Sequence, residues 1–195
     1  MRYNLSEIND LIRNRRTIYP EQYTERVVQR DMLETILTNG LWAPTHGKTQ
    51  PWRFKVYTGD GRAQLAEKML KLYKSLTPAE DFKDIKYKRI QDRVDRTSAL
   101  VLLSMKRTPE TRIPEIEEIE AVSCAAQNIL LSAAAYGLGA YWSSPKFLYT
   151  PEARQEFEMQ EEDRILGLFY FGYTKEEWPK SHRKPLEYVT EWIDG

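Results

Sequence analysis

The run Ala99–Lys106, ALVLLSMK, limits the fold most strongly. It is short, apolar and continuous, the pattern of a strand buried on both faces. A second run of the same kind, Ile165–Gly172 (ILGLFYFG), lies near the end of the chain. Between them Ile116–Tyr136 reads as the longest helix, dense in small residues (AVSCAAQNILLSAAA) and so a central core helix. A weaker strand is predicted at Arg53–Tyr57, where Phe54 and Val56 alternate with Arg53 and Lys55. Another extended segment is predicted from Gly139. Further helices are predicted over 5–14, 31–39, 62–76 and 151–157. Asn4 or Ser6 is the expected cap of the first, and Gly40 the left-handed stop of the second. Asp60-Gly61 is expected to turn and cap the third. Thr77-Pro78-Ala79-Glu80 has the form of a capping box with proline at the first helical position. A basic, solvated or lid-like helix is expected after it. Residues 107–115 are expected to loop. Helices outnumber strands and the strands are scattered among them, which predicts a sheet flanked by helices. Strand direction is not readable from the pattern.

At 195 residues the chain is expected to be one domain, burying roughly 70% of its unfolded surface. Lysine plus arginine equals aspartate plus glutamate, for a net charge of zero. That argues against nucleic acid as the main partner, because binding a phosphate backbone needs a basic excess, while leaving room for a small local phosphate pocket. The start of the chain is too charged for a secretory signal, and no run of about 18 apolar residues is present to span a membrane. A soluble, cytoplasmic protein is expected. The single cysteine, Cys124, cannot form an intrachain disulfide, and its helical, apolar setting predicts a small buried hydrophobe.

Gly40–Phe54, GLWAPTHGKTQPWRF, joins the helix at 31–39 to the strand at 53–57. It combines turn formers, hydrogen-bonding side chains and two tryptophans, Trp42 and Trp52. Such a loop suits a flat ligand with polar edges. Arg13-Asn14-Arg15-Arg16-Thr17 closes the first helix. Taken alone the cluster is a solvated helix end, but two guanidiniums and a hydroxyl also make a phosphate clamp. Lys180–Pro185 is a second basic cluster. The tail after it carries Leu186, Val189, Trp192 and Ile193, enough apolar surface to require docking, with a partner subunit a fair candidate.

Side-chain machinery for other chemistries is missing. There is no GxSxG elbow, no P-loop and no GxGxxG after a strand. His46 and His182 have no metal-ligand spacing around them. Anion clusters with little acid–base apparatus are what an enzyme shows when a cofactor performs the reaction.

Four segments in order carry a resemblance. Arg15-Arg16-Thr17 resembles the RRS motif of the FMN-dependent nitroreductase family. Ala43–Trp52 (APTHGKTQPW) resembles its AP(S/D)xxxxQPW loop. Gly137–Trp142 (GLGAYW) resembles its GLGxxW segment, and Arg183–Glu187 (RKPLE) its RKPLEE ending. The small branch with a histidine in the QPW loop is the most similar. Thr17 departs from the usual serine but keeps the hydroxyl. Ser143-Ser144-Pro145 departs where relatives often have a basic residue or glycine.

The resemblance implies an α+β fold with a central, mostly antiparallel sheet, in an intertwined homodimer with FMN at the subunit interface. It implies that Arg15, Arg16 and Thr17 hold the phosphate, ribityl chain and pyrimidine edge. Arg183, with Lys184, would help neutralise the phosphate. His46 and Gln50 would reach the partner's flavin, and Trp142, Ser143 and Ser144 would line the ring. The end of the long helix would lie near the nicotinamide. The implied reaction is ping-pong hydride transfer through flavin N5, from NADH or NADPH to a nitroaromatic, quinone or similar flat acceptor, without a catalytic side chain or a metal. Rival readings on the same scaffold are a reductive dehalogenase, an enone or pteridine reductase, and a flavin-binding storage or sensor protein. The C-terminal arm, about 185–195, is expected on the partner subunit, and the 77–97 segment as a cover over the flavin.

Overall fold

The computed structural model describes residues 3–108, 110 and 112–194. Pro109, Thr111 and Gly195, which belong to the predicted loop and tail, lie outside the described residues. In chain order the elements are α1 (Leu5–Asn14), α2 (Arg30–Gly40), β1 (Trp52–Thr58), α3 (Gly61–Leu76), α4 (Asp84–Arg96), β2 (Ala99–Met105), α5 (Glu115–Ala135), β3 (Gly139–Ser143), α6 (Pro151–Glu156) and β4 (Arg164–Gly172).

The strands form one sheet in the order β1-β2-β4-β3, and every neighbouring pair is antiparallel. This is the expected α+β architecture. The two apolar runs are the inner strands β2 and β4. Every residue of β2 is buried, because side chains on both faces meet helices. On one face Val101, Leu103, Phe169 and Phe171 pack against α5 and α2, as one core with Ile36 and Ile129. On the other, Leu100, Leu102, Leu168 and Tyr170 pack against Leu65, Met69 and Leu72 of α3 and Phe157. Alternation along the strands thus feeds two cores, which is why the runs show no polar face.

Local signals decide the helix ends. Asn4 caps α1, its side chain accepting from the backbone N–H of Ser6 and Glu7. Thr150 caps α6 through Ala153 N–H, with Pro151 in the first turn. The acids Glu115, Glu117 and Glu118 occupy the first turn of α5, where the helix dipole favours negative charge.

Several expectations are corrected. Thr77–Glu80 opens no helix: it turns, Asp81 N–H bonding to Pro78 C=O, and α4 starts only at Asp84. Tyr73 holds the intervening chain instead, its hydroxyl accepting from Lys83 N–H at 3.1 Å. Asp60 precedes α3 but makes no side-chain cap. Gly40 is the last residue of α2, not a left-handed stop; a Cβ there would lie 2.8 Å from Ile129. Its missing side chain lets α2 approach α5. Cys124 is exposed, not buried, because it sits on the side of α5 turned away from the sheet. The amphipathic helix α1 buries none of its residues.

Candidate functional site

After α1 the chain becomes extended at Arg15 and follows the edge strand β3. Ile18 N–H donates to Ala140 C=O at 3.1 Å. The Tyr23 hydroxyl lies 2.9 Å from both Ile18 C=O and Tyr170 C=O. Burial, first, and then Glu21 push the Tyr23 phenol well above its ordinary pKa, so it stays a hydrogen-bond donor. Arg15, Arg16 and Thr17 are thereby held at the β3 edge, each half-buried.

The end of the chain returns to the same place. Arg16 Nε donates to Pro179 C=O at 2.8 Å, and its Nη1 to Arg13 and Arg15 carbonyls. Arg183 folds back on Ser181 Oγ and its neighbour's carbonyl, at 2.7 and 2.9 Å. Arg15 lies within electrostatic reach of both: burial, then Arg183, then Arg16 lower its pKa. Among the described residues, none of these three arginines has a carboxylate partner within ion-pair distance. Three like charges held together raise the energy of the free protein, and a bound dianion relieves that repulsion. The two basic clusters, far apart in sequence, are therefore brought within electrostatic reach of one another.

The β3 segment is fixed from beneath. β4 bulges opposite Leu103 and Ser104, which pair with Gly167 and Ile165 and leave Leu166 out of the ladder. The Trp142 indole N–H donates to the freed Leu166 carbonyl at 3.1 Å, and its ring packs on Phe169. The ring lies where a Gly167 side chain would project: a Cβ there would be 2.4 Å from Trp142 Nε1. Gly167 has φ +142, a conformation L side chains rarely adopt. Trp142 is thus an anchor turned into the protein. Ser143 ends the strand half-buried and Ser144 is exposed.

The loop before β1 is strained. Gly47, Lys48 and Gln50 all have positive φ, at +58, +54 and +46, and two of them are not glycine. Thr45 braces the turn, with its Oγ1 3.2 Å from Thr49 Oγ1 and accepting from Gln50 N–H at 3.3 Å. His46 Nδ1 is 2.5 Å from Glu117 Oε2 on α5. His46 and Gln50 remain exposed. Of the flanking tryptophans, Trp52 is 5% exposed in the core and Trp42 is 83% exposed, so only Trp42 is free to meet a ligand.

Arg15, Arg16 and Arg183 are therefore brought together, with Thr17 between Arg16 and β3. Among the described residues, no hydrogen bond or ion pair joins that cluster to His46 or Gln50. Sequence reasoning missed Tyr23, Glu117, Leu166 and Gly167. Each acts through a contact distant in the chain, and no local pattern marks it.

A family model described as Nitroreductase family matches residues 12–173. The chain belongs to the nitroreductase family. A Bacillus subtilis protein named "Putative NAD(P)H nitroreductase YfhC" is 29% identical over 184 residues, covering 93% of this chain and 91% of its own. The nitroreductase-like family protein of Bacillus cereus has TM-score 0.86 at 28% identity, covering 100% of this chain and 99% of that one. A protein of Desulfovibrio desulfuricans solved in complex with FMN has TM-score 0.70 at 24% identity, covering 100% of both chains. That last likeness shows the fold alone. Among the described residues, no helix is long and apolar enough to cross a membrane.

Proposed function

We propose that this protein is an FMN-dependent NAD(P)H oxidoreductase, with two copies assembling so that flavin lies in the seam between them. The observation that carries this reading is the Arg15, Arg16 and Arg183 cluster without a counter-ion. Its charge fits the phosphate of FMN. Arg15, Arg16, Thr17 and Arg183 would hold FMN, and the bound cofactor would supply the redox chemistry, hydride transfer from NADH or NADPH to a flat acceptor such as a nitroaromatic or quinone.

The residues present suit that cofactor. Arg16 is oriented by three carbonyls, so part of its ordering is complete before binding. Thr17 supplies a hydroxyl beside the arginines. Ser143 and Ser144 offer polar groups at the end of β3, on a backbone pinned by Trp142. His46 and Gln50, exposed on a strained and braced loop, are presented outward, which suits contact with the partner's flavin. None of these roles needs a side chain to transfer a proton at the reacting atoms.

The test is retention of flavin. The purified protein is expected to be yellow, to bind FMN in one-to-one ratio and to bleach when NADH or NADPH is added without oxygen. Arg183→Ala and Arg16→Ala should each remove about 1.5–3 kcal/mol, weakening FMN binding roughly tenfold to a hundredfold. Circular dichroism should show both variants folded. Unchanged FMN affinity in both would refute the clamp, and a yellow protein that never bleaches would make the chain a flavin carrier without turnover.

A further inference from the structure

The flavin reading uses the edge of the sheet and the α5 side, whereas the 77–97 segment, expected as a cover over the flavin, packs through Ile90 and Val94 with α3 on the other face. The face opposite α5 carries a separate trough of about 640 Å³ between the α3–α4 connection and the segment after β3. Tyr73, Leu76, Ile90, Pro145 and Phe147 give it an apolar lining. Lys83, Lys86 and Lys146 stand around it, and Asp81 is the one carboxylate among its lining residues. Among the described residues, none of the three lysines forms an ion pair. On a chain whose net charge is zero, this is a local positive rim over an apolar floor.

Two further features agree. The trough is rigid where it meets a ligand: the Tyr73 hydroxyl is fixed to the Lys83 backbone, and its ring packs on Phe82 and Phe147 at 5.2 and 6.3 Å. Lys83 is also the residue just before α4, in its N-cap position, and it gives that helix no side-chain cap. The positive end of the helix dipole adds to the lysines' attraction for an anion, offset in part by Asp84 in the first turn. The volume lies within the range of small-molecule sites.

We propose that this trough binds a small organic anion, built as a flat apolar body with one carboxylate at its end. The body lies on Tyr73, Ile90 and Phe147, and the carboxylate meets Lys83 and Lys86. The trough does not depend on the flavin assignment, since it shares no residue with the arginine cluster.

The probe is biphenyl-4-carboxylate, titrated calorimetrically into the purified protein, with biphenyl-4-carboxamide as its uncharged counterpart. Saturable one-to-one binding is expected with Kd below about 1 mM, and about tenfold weaker binding of the amide. Lys83→Glu with Lys86→Glu should weaken the acid at least about tenfold while leaving the amide little changed, and Lys175→Glu, on an exposed lysine outside the trough lining, should leave both unchanged. Lys146→Glu alone provides a second variant should the pair fail to fold, and it should weaken the acid in the same sense. Absence of saturable binding, equal affinity for acid and amide, or acid binding indifferent to the lysine variants would each overturn the proposal. Binding that survives those variants but is lost in Arg183→Ala would place the anion on the arginine cluster and overturn it equally.

Discussion

A single methyl group on Gly167 would fall 2.4 Å from the Trp142 indole nitrogen and 2.6 Å from the Ser143 carbonyl. Neither can withdraw freely: the indole is bonded to Leu166, and Ser143 is paired with Leu168 in the sheet. Gly167→Ala should therefore cost about 1–3 kcal/mol from overpacking, with added strain from the positive φ. The expected result is a melting temperature lower by roughly 2–4 °C per kcal/mol, together with reduced FMN content, because the displaced strand carries Ser143 and Ser144. Trp142→Phe keeps an aromatic ring but loses the N–H bond and part of the indole's volume, and should cost at least about 1 kcal/mol. A melting temperature unchanged in Gly167→Ala would mean that Trp142 is not held as described. None of this is readable along the chain. In ILGLFYFG the glycine passes for one more small apolar residue, because its neighbours come from another strand. Arg15, Arg16 and Arg183 were legible as residue types, but the first cluster taken alone reads as a solvated helix end, and only the four resembling segments in order single it out. Their convergence was not, because the carbonyl of Pro179 that binds Arg16 belongs to a segment without a secondary-structure signal.

At the scale of elements, the start of α5 is fixed by an ion pair inside the protein. Glu118 is 1% exposed, and Arg107, which follows β2, contacts it and also bonds to Ile113 C=O. Among the described residues Glu118 Oε1 has no partner, so the pair is not fully satisfied. Removing one member leaves a buried charge uncompensated, whereas replacing both by apolar residues does not. Arg107→Ala should therefore destabilise by about 3–5 kcal/mol, and Arg107→Met with Glu118→Leu by clearly less. Urea unfolding at neutral pH measures both, and a double variant weaker than the single would show that the pair itself is strongly favourable. Glu117, one residue earlier, holds His46, so losing the α5 start should also loosen the loop. The long helix was legible from its small residues and its uninterrupted length. The 77–83 turn was not, because its capping-box residues are overruled by a tertiary bond from Tyr73. A local pattern worth about 1 kcal/mol gives way readily to packing of that kind.

At the scale of the whole molecule, apolar surface gathers on two segments that one chain leaves uncovered. Leu5 and Ile12 of α1 are exposed. So are Leu186, Tyr188, Val189, Trp192 and Ile193, the last two at 77% and 90%. An amphipathic helix and a tail of this composition do not remain in water unaided. The tail follows directly on Arg183, so whatever orders it also positions the clamp. If a second copy covers these surfaces, assembly and flavin retention are one process, and the tail contributes to both. Truncation after Pro185 should then shift the protein from dimer towards monomer in light scattering and lower its FMN content, while leaving the sheet and its two cores intact. Scattering from the full-length protein sets the reference, and its dimer should dissociate on dilution less readily than that of the truncated form. A truncated protein that stays dimeric with full FMN would confine the tail to a local role. A full-length monomer that binds FMN tightly would remove the need for a seam, and would leave the arginine cluster as the sole determinant of flavin binding.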